Sequence, residues 1–172
     1  MERFDVQVLG AGIVGRSLAL SLARVGLRVA LRPVAAPAAV PAPTPPDLRA
    51  YALNAASVAL LRGLKVWDAL PAHAATPVLD MHVQGDAAPA AIDFSAWQQR
   101  VDALAWITDA AVLERELAQA VRFAPHITVV DGAAHVDASL TALCEGKASP
   151  TRGRSAWRST ATTTGTVRSP RG

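Results

Sequence analysis

The first thirty residues contain a short apolar segment typical of a strand, then a segment with the apolar spacing of a helix, and then a second short apolar segment. Residues 4–9 are short, apolar and rich in valine, which predicts a strand. Residues 16–24 carry leucines and alanines at helical spacing, and Gly26 stands where a helix would end. Residues 27–31 are again short and apolar. The pattern therefore predicts a β-α-β unit at the start of the chain.

The middle of the chain predicts a helix and a hairpin. Residues 47–54 lead into a helix expected at 55–64. Residues 79–84 alternate between apolar and polar side chains, as a half-buried strand does, and residues 91–94 are the expected hairpin partner.

Another helix and two more strands follow. We expect a helix at 110–123 with Asp109 as its N-cap. Strands are expected at 126–130 and 140–144. The order of elements predicts an α/β fold built on a Rossmann-like unit. The helix is expected to bury one apolar stripe, which comprises Leu113, Leu117, Ala120 and Val121.

A glycine motif occupies the turn between the first strand and the first helix. Residues 10–15 read Gly-Ala-Gly-Ile-Val-Gly, a G-x-G-x-x-G sequence. In such a turn Gly10 permits the tight bend, Gly12 lets the backbone approach a pyrophosphate, and Gly15 lets helix and strand pack closely. The free N–H groups of the helix start favour the same anion. The motif in this context predicts a dinucleotide site. Its residues are Gly10, Ala11, Gly12, Ile13, Val14 and Gly15.

The acid expected to bind the ribose is missing. A dinucleotide-binding fold usually carries Asp or Glu at the end of its second strand. Residues 31–34 read Leu-Arg-Pro-Val instead, and no acid follows before Asp47. Two interpretations of Arg32 stay open, a phosphate contact and a solvated arginine at a strand end. We expect weaker binding on the adenosine side.

Composition and charge exclude several classes of function. A chain of 172 residues fits one domain, and 51% hydrophobic with 18% charged residues is typical of a globular core. The net charge of +3 arises at the end of the chain: residues 1–152 hold 13 basic and 14 acidic residues, and the last twenty hold four arginines and no acid. We therefore expect no nucleic-acid partner.

Cysteine, histidine and hydropathy patterns narrow the classes further. The single cysteine, Cys144, excludes an intrachain disulfide and is expected to be buried. The four histidines lack metal-ligand spacing, so no metal is expected. No apolar run reaches the roughly 18–20 residues of a membrane span. The start of the chain lacks a secretion signal, and we expect a cytoplasmic protein without a transmembrane segment.

Residues 47–67 carry a more specific pattern. They read D-x-R-x-x-A-L-x-x-x-S from Asp47 and then L-L-x-x-L-x-V-W from Leu60. Together with the glycine motif, this resembles the amino-terminal part of the FAD-dependent aromatic hydroxylases, most closely the ubiquinone-biosynthesis branch. The resemblance implies that Arg49 lies beside the bound flavin nucleotide. The alternative is a surface arginine at a helix start.

A second family motif lies at the end of the region that resembles the family. Residues 145–152 resemble D-G-x-x-S-x-x-R, with Glu145 in place of the aspartate. The family places this motif near the flavin pyrophosphate and the path of the nicotinamide nucleotide. Gly146 would allow close approach, and Ser149 and Arg152 would donate hydrogen bonds to phosphate. No catalytic residue is implied within this chain.

The resemblance covers residues 4–152 and implies an incomplete flavoprotein hydroxylase fold. It implies a monooxygenase that uses FAD, NAD(P)H and O₂ to hydroxylate a small aromatic or prenylated quinone precursor. It implies a partial FAD-binding domain at 1–152, with a Pro/Ala-rich loop at 33–46 and, at about 78–108, the start of the substrate-side sheet. Residues 153–172 show neither a strand period nor a helix period, and we expect them to form a disordered tail.

The family's chains continue well beyond this point, with a Gly-Asp motif and most of the substrate sheet. We therefore expect a truncated chain that is inactive alone, with a tail read in a shifted frame; a genuine basic tail is the alternative. Two alternatives stay open: a non-catalytic nucleotide-binding fragment, and an NAD-dependent oxidoreductase, which would not need Arg49 or Glu145-Gly146. Association with the inner membrane surface or with a ubiquinone-synthesis complex is also left open.

Overall fold

The computed structural model describes residues 3–33, 48–86, 90–130, 136–146 and 149. The tail predicted from residue 153 and the predicted loop, apart from Pro33, lie outside these residues. The helices and strands of the described part are β1 (Arg3–Leu9), α1 (Ile13–Arg24), β2 (Val29–Arg32), β3 (Ala50–Leu53), α2 (Ala55–Gly63), β4 (Ala75–Val78), β5 (Asp80–Gln84), β6 (Ala91–Ser95), α3 (Ala96–Gln99), β7 (Ala105–Asp109), α4 (Ala110–Arg122), β8 (Ile127–Val129) and β9 (Asp137–Leu143).

A four-stranded parallel sheet has the strand order β8-β2-β1-β9. The central strand β1 pairs on one side with β2, where Val6 lies opposite Val29, and on the other side with β9, where Val6 lies opposite Leu140. Parallel neighbours require a crossover connection, and α1 supplies it between β1 and β2. The predicted α/β class and the predicted β-α-β unit are therefore confirmed.

An apolar cluster joins this sheet to α1, α2 and α4. Leu113 and Leu117 of α4 are fully buried, as the predicted stripe requires, whereas Ala120 is half-buried. Burying a leucine side chain contributes roughly 1.5–3 kcal/mol, so α4 is held firmly against the sheet. The buried members of the cluster are Val6, Val8, Ala19, Leu20, Val29, Leu31, Leu61, Leu64, Val66, Leu113, Leu117 and Val121.

Caps fix the end of α1 and the start of α4. Gly26 adopts a φ of +86°, and the N–H of Leu27 donates to the carbonyl of Leu22 at 3.2 Å, which ends α1 and turns the chain into β2. The side chain of Asp109 accepts a hydrogen bond from the N–H of Val112 at 3.1 Å. The predicted N-cap is confirmed.

A second, antiparallel sheet with the order β3-β7-β4 was not predicted. Residues 50–53 form β3 and residues 105–109 form β7. These two strands pair with each other and lead into α2 and α4 respectively. Residues 78–108, for which a substrate-side role stays a prediction, contribute to two sheets. The first part of this segment forms a separate two-stranded sheet of β5 and β6, and the last part belongs to β7.

The hairpin of β5 and β6 confirms the predicted strand pair. Met81 lies opposite Phe94 and Val83 lies opposite Ile92, so these four apolar side chains share one face. All four are exposed. Among the described helices, none has both the length and the apolar character that crossing a membrane requires.

Candidate nucleotide-binding site

A cavity of about 640 Å³ opens where the strands of the parallel sheet end. Its wall contains the residues that follow β1, β2 and β9, because the carboxyl ends of parallel strands meet at one edge. Eight residues predicted from the sequence lie in this wall. They are Gly10, Ala11, Gly12, Ile13, Val14, Arg49, Glu145 and Gly146.

The other three predicted residues have different places. Gly15 lies in the first turn of α1, directly beneath the turn that lines the cavity. The hydroxyl of Ser149 donates a hydrogen bond to the carboxylate of Glu145. Arg152 lies outside the described residues, and so does Asp47.

The three glycines of the motif have different surroundings. A Cβ on Gly10 would lie 2.2 Å from the carbonyl oxygen of Cys144, and a Cβ on Gly15 would lie 1.8 Å from the carbonyl oxygen of Gly10. Protein backbone therefore excludes a side chain at both positions. A Cβ on Gly12 would meet no described atom within 4 Å, although Gly12 lines the cavity. Gly12 thus presents bare backbone to the open space.

The N-terminus of α1 faces the same space. Its N-cap is Gly12, whose extended backbone (φ −76°, ψ −173°) brings no side-chain hydrogen bond to the cap, and the first turn holds no acidic residue. The first N–H groups of a helix have no partner within the helix and carry a partial positive charge. Since Ile13 and Val14 line the cavity, an anion there would meet these groups.

Arg49, the residue directly before β3, reaches the cavity. One guanidinium nitrogen lies 3.4 Å from a carboxylate oxygen of Glu114, and another donates to the hydroxyl of Tyr51 at 3.4 Å. Its carbonyl accepts the N–H of Ala110 at 3.0 Å, which ties β3 to the start of α4. The guanidinium of Arg16 donates to the carbonyl of Glu114 at 3.3 Å. Two arginines therefore flank one glutamate in the cavity wall.

Cys144 completes the wall beside the glycine turn, where it is half-buried rather than fully buried as expected. Its N–H donates to the carbonyl of Leu9 at 2.7 Å, which continues the pairing of β9 with β1. Burial raises the pKa of its thiol above the ordinary 9.0, because the charged form loses solvation. The thiol is therefore neutral at physiological pH and adds no negative charge near a bound anion.

The sequence prediction missed three polar residues of the wall: Arg16, Tyr51 and Glu114. Arg16 directly follows the glycine motif, so its position was the one available signal. Glu114 could not be identified from the sequence. A glutamate next to the buried Leu113 fits a solvent-exposed helix position, and the pattern does not indicate which surface it faces. Tertiary packing of α4 against β3 brings Glu114 and Tyr51 to the cavity.

Comparison with known proteins agrees with this geometry. No protein-family model matches the chain. The chain is similar to 3-demethoxyubiquinol 3-hydroxylase of Escherichia coli (strain K12), with 35% identity over 139 residues that cover 81% of this chain and 34% of that protein. The chain thus spans about a third of the length of this curated relative.

Solved structures show the same fold at lower identity. The p-nitrophenol 4-monooxygenase of Pseudomonas putida DLL-E4 is 22% identical with a TM-score of 0.54, covering 76% of this chain and 32% of that one. A probable FAD-dependent monooxygenase of Pseudomonas aeruginosa is 18% identical with a TM-score of 0.55, covering 76% and 33%. The Diels-Alderase of pyrroindomycin biosynthesis is 20% identical with a TM-score of 0.61, covering 87% and 34%. The predicted partial flavoprotein hydroxylase fold is confirmed.

Proposed function

We propose that this chain, which is similar to a ubiquinone-biosynthesis hydroxylase over most of its length, forms the nucleotide-binding part of an FAD-dependent aromatic hydroxylase. The observation that carries the proposal is Gly12. Gly12 lines the cavity and has room for a side chain there, whereas neighbouring protein backbone excludes a side chain at Gly10 and Gly15. A diphosphate is the group for which such a glycine leaves room.

The residues present fit FAD at the diphosphate. The turn of residues 10–14 would face the phosphates with its backbone, and the N-terminus of α1 would stabilise their negative charge. Arg16 and Arg49 add positive charge to the wall. Glu145 and Glu114 are the acids there. The guanidinium of Arg49 offsets the charge of Glu114, and Glu145 accepts a hydrogen bond from the hydroxyl of Ser149.

The redox chemistry would come from the flavin, which accepts electrons from NAD(P)H and activates O₂. The chain's own residues bind and orient the nucleotide, and we assign no catalytic residue to them. The proposed substrate is a small aromatic or prenylated quinone precursor, because the curated relative is named as a hydroxylase of demethoxyubiquinol. We propose a cytoplasmic location for the reaction.

Flavin retention and reduction test this proposal. The purified chain, supplied with excess FAD and then desalted, should keep flavin absorbance that NADH or NADPH bleaches under anaerobic conditions. The same sample in air, given an aromatic precursor, reports hydroxylated product. Retained flavin that NADH or NADPH bleaches, without hydroxylated product, is the result expected of a chain that is inactive alone. Retained flavin that neither nucleotide bleaches would favour the non-catalytic nucleotide-binding alternative. Loss of all flavin on desalting, together with retention of NAD, would contradict the proposal.

A further inference from the structure

The end of β2 lies beside the glycine turn. Leu9 of β1 pairs with Arg32 of β2, and the N–H of Gly10 donates to the carbonyl of Arg32 at 2.8 Å. Pro33, the next residue, lines the cavity, whereas Arg32 is not part of the described wall. Side chains alternate along a strand, so Arg32 points away from the face of the buried Leu31. The position after β2 that meets the cavity is therefore proline.

This position matters because it is where a nucleotide-binding fold holds the ribose. The ribose hydroxyls donate hydrogen bonds, and a carboxylate at the end of the second strand accepts them. The proline ring has neither an acceptor nor an N–H donor to replace that carboxylate. The sequence has no acid between Arg32 and Asp47, so no neighbour of Pro33 supplies one.

The two carboxylates among the described residues of the cavity wall already interact with other side chains. Glu114 lies on α4 and pairs with Arg49 at 3.4 Å. Glu145 follows β9, on the opposite side of β1 from β2, and accepts the hydroxyl of Ser149. Neither replaces an acceptor at the end of β2. The features of the wall that favour a ligand are thus concentrated at the diphosphate.

We infer that Pro33 makes this cavity a diphosphate site that is indifferent to the hydroxyls of the adenosine ribose. The inference rests on the proposed function, since it assumes that the cavity takes a nucleotide. It identifies Pro33 as a specificity-determining residue. Nucleoside diphosphates that differ only in their ribose hydroxyls should bind with equal affinity, and a carboxylate at this one position should create the discrimination.

Calorimetric titration with ADP and with 2′,3′-dideoxy-ADP tests the inference. The native chain should bind the two within about twofold, whereas Pro33→Glu should prefer ADP by about tenfold or more, the range of hydrogen bonds to a charged acceptor. Pro125→Glu is the matched control. Pro125 is exposed in the turn before β8, at the opposite end of the sheet, so this variant should behave like the native chain.

The outcomes separate the inference from the proposed function. A native chain that prefers ADP by tenfold or more, or a folded Pro33→Glu that gains no preference, would overturn the inference. Competition of inorganic pyrophosphate with ADP tests the diphosphate site independently of the ribose. If pyrophosphate and both nucleotides fail to bind any variant, the proposed function falls together with the inference. The native comparison stands even if Pro33→Glu does not fold.

Discussion

Replacing Gly15 with alanine tests the packing of α1 on β1, which holds the cavity turn in place. A Cβ on Gly15 would lie 1.8 Å from the carbonyl oxygen of Gly10, 2.9 Å from its carbonyl carbon and 3.3 Å from the Cβ of Cys144. Favourable contacts between such atoms need about 3.5–4.0 Å. Both nearest atoms belong to backbone, so the start of α1 or the turn must move by more than about 1 Å.

The expected loss of stability follows from two opposing effects. Forcing an extra carbon into a packed region costs about 1–3 kcal/mol, and a clash with backbone places this one at the upper end. Alanine is favoured over glycine within a helix by about 1 kcal/mol, which offsets part of the loss. We expect the free energy of unfolding of Gly15→Ala to be about 2 kcal/mol lower than that of the native chain.

Urea unfolding followed by tryptophan fluorescence measures this loss, since Trp67 and Trp106 stack edge to face at 6.1 Å in the folded chain. Gly63→Ala is the matched control. Gly63 ends α2, and a Cβ there would lie 4.0 Å from the guanidinium of Arg24, an ordinary van der Waals distance. The control should keep the stability of the native chain or raise it by up to about 1 kcal/mol, because a helix favours alanine over glycine. Equal midpoints for Gly15→Ala and Gly63→Ala would refute the packing argument.

Two further predictions concern charged and titrating groups. Arg49→Ala should weaken FAD binding by about tenfold, which is the lower end for the loss of a charge-assisted hydrogen bond. Arg62 is as exposed as Arg49 and pairs with Asp68 at 3.5 Å, so Arg62→Ala is the control and should leave FAD binding unchanged in the same titration. The free energy of unfolding should fall as the pH rises above 9. Burial raises the pKa of Cys144 in the folded chain, so above that pH the thiol loses its proton more readily in the unfolded chain than in the folded one. Urea midpoints at several alkaline pH values should fall less steeply for Cys144→Ala, and identical slopes would contradict this.

Local patterns account for the parts of the fold that the sequence predicted. The strand, glycine turn and helix at residues 4–24 each depend on neighbours in sequence, and so does the cap of Asp109 on α4. The hairpin of β5 and β6 is also local, since its strands are close in sequence and alternate in polarity.

The antiparallel sheet could not be predicted in the same way. Tyr51 pairs with Thr108, more than fifty residues away in the sequence. The short, alanine-rich sequence of β3 does not indicate with which strand it pairs. Pro77 lies in β4, which has β7 as its one described neighbour. Proline is tolerated on such an edge strand because it has no N–H to leave unpaired.

The candidate site shows the same division between local and tertiary signals. The glycine turn was recognised from six consecutive residues, and its place at the cavity follows from the order of strand and helix. Glu114 and Tyr51 joined it through the packing of α4 and β3, which no motif encodes. Glu145-Gly146 was found through the family resemblance, and its role toward a cofactor stays a prediction.

Titration of the purified 172-residue chain with FAD is the most direct test of the proposed site. Saturable binding at one FAD per chain is expected for the native protein. Gly12→Val should weaken it by at least about tenfold, because the added side chain enters the open space beside the turn, where a Cβ would meet no described atom within 4 Å. Gly63→Val, at a glycine away from the cavity, should bind as the native chain does. Equal affinities of the native chain and a folded Gly12→Val would contradict the assignment of the cavity to FAD.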